Sequence, residues 1–300
     1  MIYLSRPVIS VVDALLEAAG LKPQLAPHSL TIRVLRIGPA EARALLAANF
    51  DNRRLRWGRV RFYARCMQRG EWPLTHQGIA FAVDGRGLDL QHRLHAIILA
   101  NVTVDIMVTE GLEPAAFKVI DQHERRSMAD ALGQDRFLTE AARFFLLLAG
   151  GGQATTPTLL EVGEASGLIE DYFAKVTNAC GSRRQVFSTV AVRSATMVLL
   201  KEQPQREEII LQNYRNLVLN RSEDWPKSLH AFNRQYAVTS SDRAVSTPGQ
   251  RLELFARALH ALDPTRPDLS IIKLQAETIG KARARGGALL EGMAHENNDG

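Results

Sequence analysis

The stretch Leu88-Asp89-Leu90-Gln91-His92-Arg93-Leu94-His95 sets a carboxylate, an amide, two imidazoles and a guanidinium between apolar residues. The helical spacing of Leu94, Ile97 and Ile98, directly after a short extended segment, puts these groups where a strand gives way to a helix. With Asp89 as the helix cap, Gln91, His92 and Arg93 fill the first turn, where unpaired backbone N–H groups and the helix dipole favour an anion. A phosphate oxygen suits that place. Arg93 offers two parallel donors, His92 a hydrogen bond or a proton, and Gln91 an amide to orient the anion or a water. The same residues also admit a plainer arrangement: Asp89 only caps, Arg93 pairs with a nearby carboxylate, and the histidines are satisfied boundary residues.

A second group, Arg53, Arg54, Arg56, Arg59, Arg61, Arg65 and Arg69, contains no acidic residue and interleaves Trp57, Phe62 and Tyr63. Arg61, Arg65 and Arg69 fall four apart, opposite an apolar face of Val60, Tyr63, Ala64 and Met67, which predicts an arginine stripe along one helix. Such a stripe can track successive DNA or RNA phosphates, and an exposed aromatic can stack on a base. The bland alternative buries the aromatics and pairs the arginines with acids elsewhere in the fold.

The third group is Ile120-Asp121-Gln122-His123-Glu124-Arg125-Arg126-Ser127. Asp121 closes an expected helix and Arg126 lies beside the next helix start, again an anion-friendly place. Asp121, His123 and Glu124 lack a recognisable ligand spacing, so no metal site is expected. His230 and the pairs Glu207-Glu208 and Glu223-Asp224 receive structural readings only. There is no GxSxG, HExxH or Walker A sequence, which leaves serine hydrolase, zincin and P-loop chemistries without local support.

The elements that must position these groups follow from periodicity. Val8, Val11, Val12, Leu15 and Leu16 predict one short helix within an appendage over residues 1–30. Ile32 and Val34 open a strand, and Gly38-Pro39 starts a helix with proline in its first position. Ile79 to Val83 and Gly87 to Asp89 read as hairpin strands joined by a type I′ turn at Asp84-Gly85. Val102, Val104, Ile106 and Val108 alternate as a further strand. Ser127-Met128-Ala129-Asp130 resembles a capping box. Beyond it the pattern is helical: 139–148, 158–166, 170–179, 190–201, 207–217, 249–261 and 269–282, with the terminal ENNDG expected to fray. The fold class is therefore α+β, a small mixed sheet with helices over residues 31–135 followed by an all-α domain over residues 136–300.

The chain has 300 residues, 46% of them apolar, enough for a sizeable core. Its net charge of +5, from 37 Lys and Arg against 32 Asp and Glu, does not by itself demand a nucleic-acid partner. Cys66 and Cys180 form neither a CxxC pair nor a disulfide framework, so a reducing compartment is expected. No apolar run is long enough to cross a bilayer and no cleaved leader is read, which points to the cytoplasm.

The order of Ile37-Gly38-Pro39, Asn52-Arg53-Arg54-Leu55-Arg56, the arginine-rich helix ending at Gly70-Glu71-Trp72, the Asp84-Gly85 hairpin and then Asp89-x-Gln91-His92-Arg93-Leu94-His95-Ala96 resembles the ParB/sulfiredoxin superfamily. In particular it is similar to ParB-like proteins of phages and mobile elements that carry a D-G-Q-H-R-L motif. The resemblance covers residues 31–135. It implies a corner that handles nucleotide phosphates, as in CTP-switching partition proteins, ATP-using sulfinic acid reductases and a small-molecule kinase; nucleases have also been described. Carried over, it assigns Asp89, Gln91, His92 and Arg93 to the phosphate side, with Asp121 and Arg126 beside them.

Two departures matter. Leu90 stands where the family has glycine, and the reductases' cysteine is missing. The expected function is a DNA-associated protein that binds nucleotide or backbone phosphate at the corner and DNA through Arg54, Arg56, Arg59, Arg61, Arg65 and Arg69. A nucleoside triphosphate with Mg²⁺ is the implied cofactor, and the helical domain is the expected partner-docking or dimerisation surface. The alternatives are a phosphotransferase, nucleotide hydrolase or nuclease using His92 and Asp89 as catalytic groups, and a degenerate structural protein.

Overall fold

The computed structural model describes residues 11–20, 30–49, 54–118, 127–150, 156–180, 186–219, 221–223, 225–237 and 247–298. The chain divides into two compact units, Met1–Gln122 and His123–Gly300. It is an α+β protein.

In the first unit, α1 (Val11–Ala18) precedes β1 (Thr31–Ile37), α2 (Pro39–Leu45), α3 (Trp57–Gln68), β2 (Ile79–Ala82), β3 (Gly87–Asp89), α4 (Gln91–Ala100) and β4 (Val104–Leu112). The four strands form one sheet in the order β1-β4-β2-β3. β1 runs antiparallel to β4, with Thr31 opposite Glu110 and Ile37 opposite Val104. β2 pairs antiparallel with β3 and parallel with β4, Ile79 lying opposite Val108. One face of the sheet carries Ile37, Ile79, Ile106 and Val108, which meet Val60, Ala64 and Met67 of α3 and Leu94, Ala96 and Ile97 of α4 in a single core. That shared core fixes α3 against α4.

Local chemistry explains the joints. Pro39 takes the first turn of α2, and the Gly38 N–H donates to Glu41 Oε2 at 3.0 Å. α4 ends at Asn101, whose left-handed φ of 53° is a conformation asparagine tolerates. The hairpin differs from the expected type I′ turn. Ala82 N–H donates to Arg86 O, leaving Val83, Asp84 and Gly85 as a three-residue loop in which only Gly85 has positive φ, 83°. A type I′ turn needs positive φ at both central residues, and Asp84 does not supply it.

The second unit is helical: α5 (Met128–Leu132), α6 (Arg136–Ala149), α7 (Leu159–Cys180), α8 (Val190–Glu202), α9 (Glu207–Leu219), α10 (Lys227–Ala237), α11 (Pro248–Leu262) and α12 (Ala276–Asn298). The Ser127 capping box is present, with Asp130 N–H donating to Ser127 Oγ and Ser127 N–H to Asp130 Oδ2. α5 packs on α6 and α7, so it belongs with this unit, and the division falls earlier than the 135/136 boundary read from sequence.

Every residue of α8 from Ala191 to Leu200 is buried, which makes it the central helix, touched by α6, α7, α9, α11 and α12. The segments read as 158–166 and 170–179 are one helix, α7. α10 was not expected, and the last helix starts later and runs further than 269–282, through Glu296, Asn297 and Asn298 of the tail expected to fray. Gly286 and Gly287 sit inside it. A Cβ on Gly286 would fall 2.3 Å from Leu148 Cδ1, and one on Gly287 would fall 3.1 Å from Ala149 Cα, so the pair lets α12 press onto α6.

Candidate functional site

The strand-to-helix corner forms where the sequence places it, but with a different cap. Pairing of Asp89 with Ala80 keeps Asp89 in the sheet, and Leu90 becomes the residue before α4, with no side-chain cap. Asp89 is therefore not the helix cap. Its Oδ2 accepts from Arg93 Nη1 at 2.8 Å across one helical turn. Leu90 is 1% exposed and lies over Gly87: a Cβ on Gly87 would meet Leu90 Cδ2 at 2.2 Å. Its φ of −144° is open to any residue, so glycine is not required for the backbone here.

Gln91 and His92 are buried. His92 Nε2 accepts the backbone N–H of Arg56 at 3.1 Å. An accepting Nε2 carries no proton, so His92 is neutral in this arrangement, with its ring proton on Nδ1. His95, one turn on, sets its ring at a tilt beside Trp57, centroids 5.8 Å apart, and burial lowers its pKa. The corner's polar groups thus join α3 to α4. An incoming phosphate would have to draw Arg93 away from Asp89.

The arginine-rich segment gathers around the other end of that junction. Arg56 is the residue before α3, without a side-chain cap, and the first turn holds no acid. Arg54, Arg56 and Arg61 are exposed and make no ion pair among the described residues. Trp57 is 53% exposed between them, and the space beside Gly58, where a side chain would stand, is open. Uncapped N–H groups at the start of a helix, three guanidinium groups and an accessible indole make an anion-attracting surface.

The expected stripe is only partly realised. Arg59 and Arg65 are half-buried, and Arg69 lies just beyond α3, where its guanidinium pairs with Glu71. Phe62 and Tyr63 are also half-buried, Tyr63 meeting Trp72 edge-on. Arg53 and the whole of Asp121 to Arg126 lie outside the described residues.

Sequence reasoning did not find the polar hub of the second unit. Asp263 Oδ1 accepts from Gln203 Nε2 at 2.9 Å, from Thr265 N–H at 3.0 Å and from Thr265 Oγ1 at 2.7 Å. Burial pushes this carboxyl up, but those bonds and the charge of Arg285 outweigh it and hold its pKa below the usual carboxylate range. The hub draws on three separate segments, around Gln203, Asp263 and Arg285, so no local motif announces it.

Among the described residues, no group of three His, Cys, Asp or Glu is placed to hold a metal ion, and no helix is long and apolar enough to cross a membrane. No family model, curated protein or solved structure matches this chain.

Proposed function

We propose that this chain is a DNA-associated protein that holds backbone phosphates at the start of α3, in the phage or mobile-element setting its resemblance to ParB-like proteins implies. The observation that carries the reading is the exposed cluster of Arg54, Arg56 and Arg61 around an uncapped helix start with Trp57 in its midst. Guanidinium groups without protein carboxylates keep their full attraction for phosphate, and the helix dipole adds to it. Trp57 supplies a stacking surface for a base where the duplex opens. Contacts of this kind position a protein on DNA without reading its sequence, so affinity is expected to be nearly uniform across duplexes.

The reading differs from the sequence expectation in where the phosphate goes. His92 and Arg93 each have a partner within the chain, whereas Arg54, Arg56 and Arg61 make no ion pair among the described residues, so the anion is assigned to the start of α3. The test is fluorescence anisotropy of a labelled duplex of arbitrary sequence with the wild type and with Arg54→Gln/Arg56→Gln/Arg61→Gln. The triple variant is expected to bind at least tenfold more weakly while melting at the same temperature. Equal affinity would remove the assignment. Adding a nucleoside triphosphate with Mg²⁺ tests whether a nucleotide competes for the same helix start.

A further inference from the structure

A buried charge without a carboxylate partner lies in the central helix of the second unit. Arg193 is 3% exposed, and its Nε is buried with no hydrogen-bond partner. Its guanidinium stands over the ring of Phe137, in the first turn of α6, with Cζ 4.8 Å from the ring centroid. No carboxylate among the described residues lies within ion-pair distance of it. An arginine cannot shed its proton to escape burial, so a guanidinium in this position calls for an anion.

The surroundings supply further donors. Thr189 precedes α8 and is one helical turn from Arg193, on the same face. Side chains on a helix lean toward its start, so Arg193 leans toward the turn that Thr189 opens. Thr189 makes no cap hydrogen bond, and its Oγ1 is buried and unpartnered. The N–H groups of Ala191 and Val192, which a capping side chain normally satisfies, therefore lack that partner. Thr189 and Val190 are half-buried, so the residues that open α8 are partly exposed although the Thr189 Oγ1 is itself covered.

We infer that the start of α8 is a binding site for a small oxyanion, held by the Arg193 guanidinium, the Thr189 hydroxyl and the first-turn N–H groups of a 13-residue helix. The donors would surround one phosphate, sulfate or carboxylate group. The site belongs to the second unit, and its test does not depend on DNA binding. Phe137 forms an apolar wall that strengthens the attraction by keeping water from the guanidinium.

The experiment is a thermal-shift titration of the full chain with inorganic phosphate, sulfate and acetate against chloride at matched ionic strength, repeated with Arg193→Met and Thr189→Val. The wild type is expected to gain roughly 5–10 °C once an oxyanion exceeds its Kd about a hundredfold. A response to phosphate and sulfate marks a tetrahedral anion; a response to acetate alone marks a carboxylate. Arg193→Met, which removes the buried charge, is expected to melt at or above the wild-type temperature in chloride and to lose the shift. Thr189→Val is expected to weaken binding several-fold. A wild type that responds to no oxyanion more than to chloride overturns the inference, whatever the variants do, and so does an equal shift in Arg193→Met.

Discussion

His92→Ala separates a structural histidine from a catalytic one. The imidazole is 5% exposed and its Nε2 accepts the Arg56 N–H, so truncation opens a void between α3 and α4 and leaves that N–H without its acceptor. Large-to-small substitution at a buried site costs about 2–4 kcal/mol, and a deprived N–H adds about 1 kcal/mol where water reaches it poorly. Arg56 is at the exposed rim, which reduces the second contribution and gives a net loss of about 3 kcal/mol. In a unit of this size each kcal/mol moves the melting temperature by about 4 °C, so a fall of roughly 10 °C is expected.

His92→Asn, whose amide oxygen can still accept, should recover part of the loss. Circular-dichroism melting reads the stability, and anisotropy at a temperature where every variant is folded reads the DNA affinity. Because the same bond holds the start of α3, the affinity should fall several-fold in His92→Ala and partly recover in His92→Asn. The reasoning fails if His92→Ala melts like the wild type yet abolishes turnover of a nucleotide or of DNA. That pattern belongs to an imidazole free for proton transfer.

Gly78→Ala should be severely destabilising, because the new Cβ would fall 1.7 Å from the Met107 carbonyl oxygen and push β2 away from β4; a urea melt should show a loss of about 3 kcal/mol. Trp57→Ala should leave the melting temperature almost unchanged, as expected for a half-exposed side chain, while weakening single-stranded DNA binding by about 1–3 kcal/mol in a fluorescence titration. Stability should decline between pH 7 and pH 5. The pKa of His95 is lowered by burial, and that of His260 by burial and then by Arg266, so below the unfolded value of about 6.5 the unfolded chain takes up protons the folded chain resists. Asp263 acts in the acid range: its depressed pKa gives stability that is present above the unfolded value of about 3.9 and lost as the pH falls through the folded value, an effect Asp263→Asn should remove from the pH profile of melting.

The first unit was largely legible because its signals are local. Alternation marked β1 and β4, Gly38-Pro39 marked the start of α2, and the apolar face of Val60, Ala64 and Met67 marked α3. What local signals miss is pairing. Nothing near Asp89 in sequence says that Ala80 will hold it in the sheet and pass the cap position to Leu90. Nor does the QHR segment say that His92 will take its proton donor from a backbone 36 residues earlier.

In the helical unit, Gly286-Gly287 reads as a helix breaker until α6 supplies the surface that needs those missing side chains. α10 carries a narrow apolar stripe of Leu229, Phe232 and Tyr236, but Lys227, His230, Asn233 and Arg234 make it polar on the whole and hide that stripe. Arg193 is illegible for the opposite reason: a lone arginine in a helix predicts exposure, and only the crowding of five helices around α8 buries it.

The salt dependence of duplex binding tests the phosphate-holding surface most directly. Each phosphate neutralised contributes about 0.9 to the slope of log K against log salt, so three contacts from Arg54, Arg56 and Arg61 account for about 2.7 of the wild-type slope. Measured by anisotropy from low to physiological salt, Arg54→Gln/Arg56→Gln/Arg61→Gln should flatten the slope by that amount. A triple variant with the wild-type slope would place the phosphates elsewhere on the protein and contradict the account.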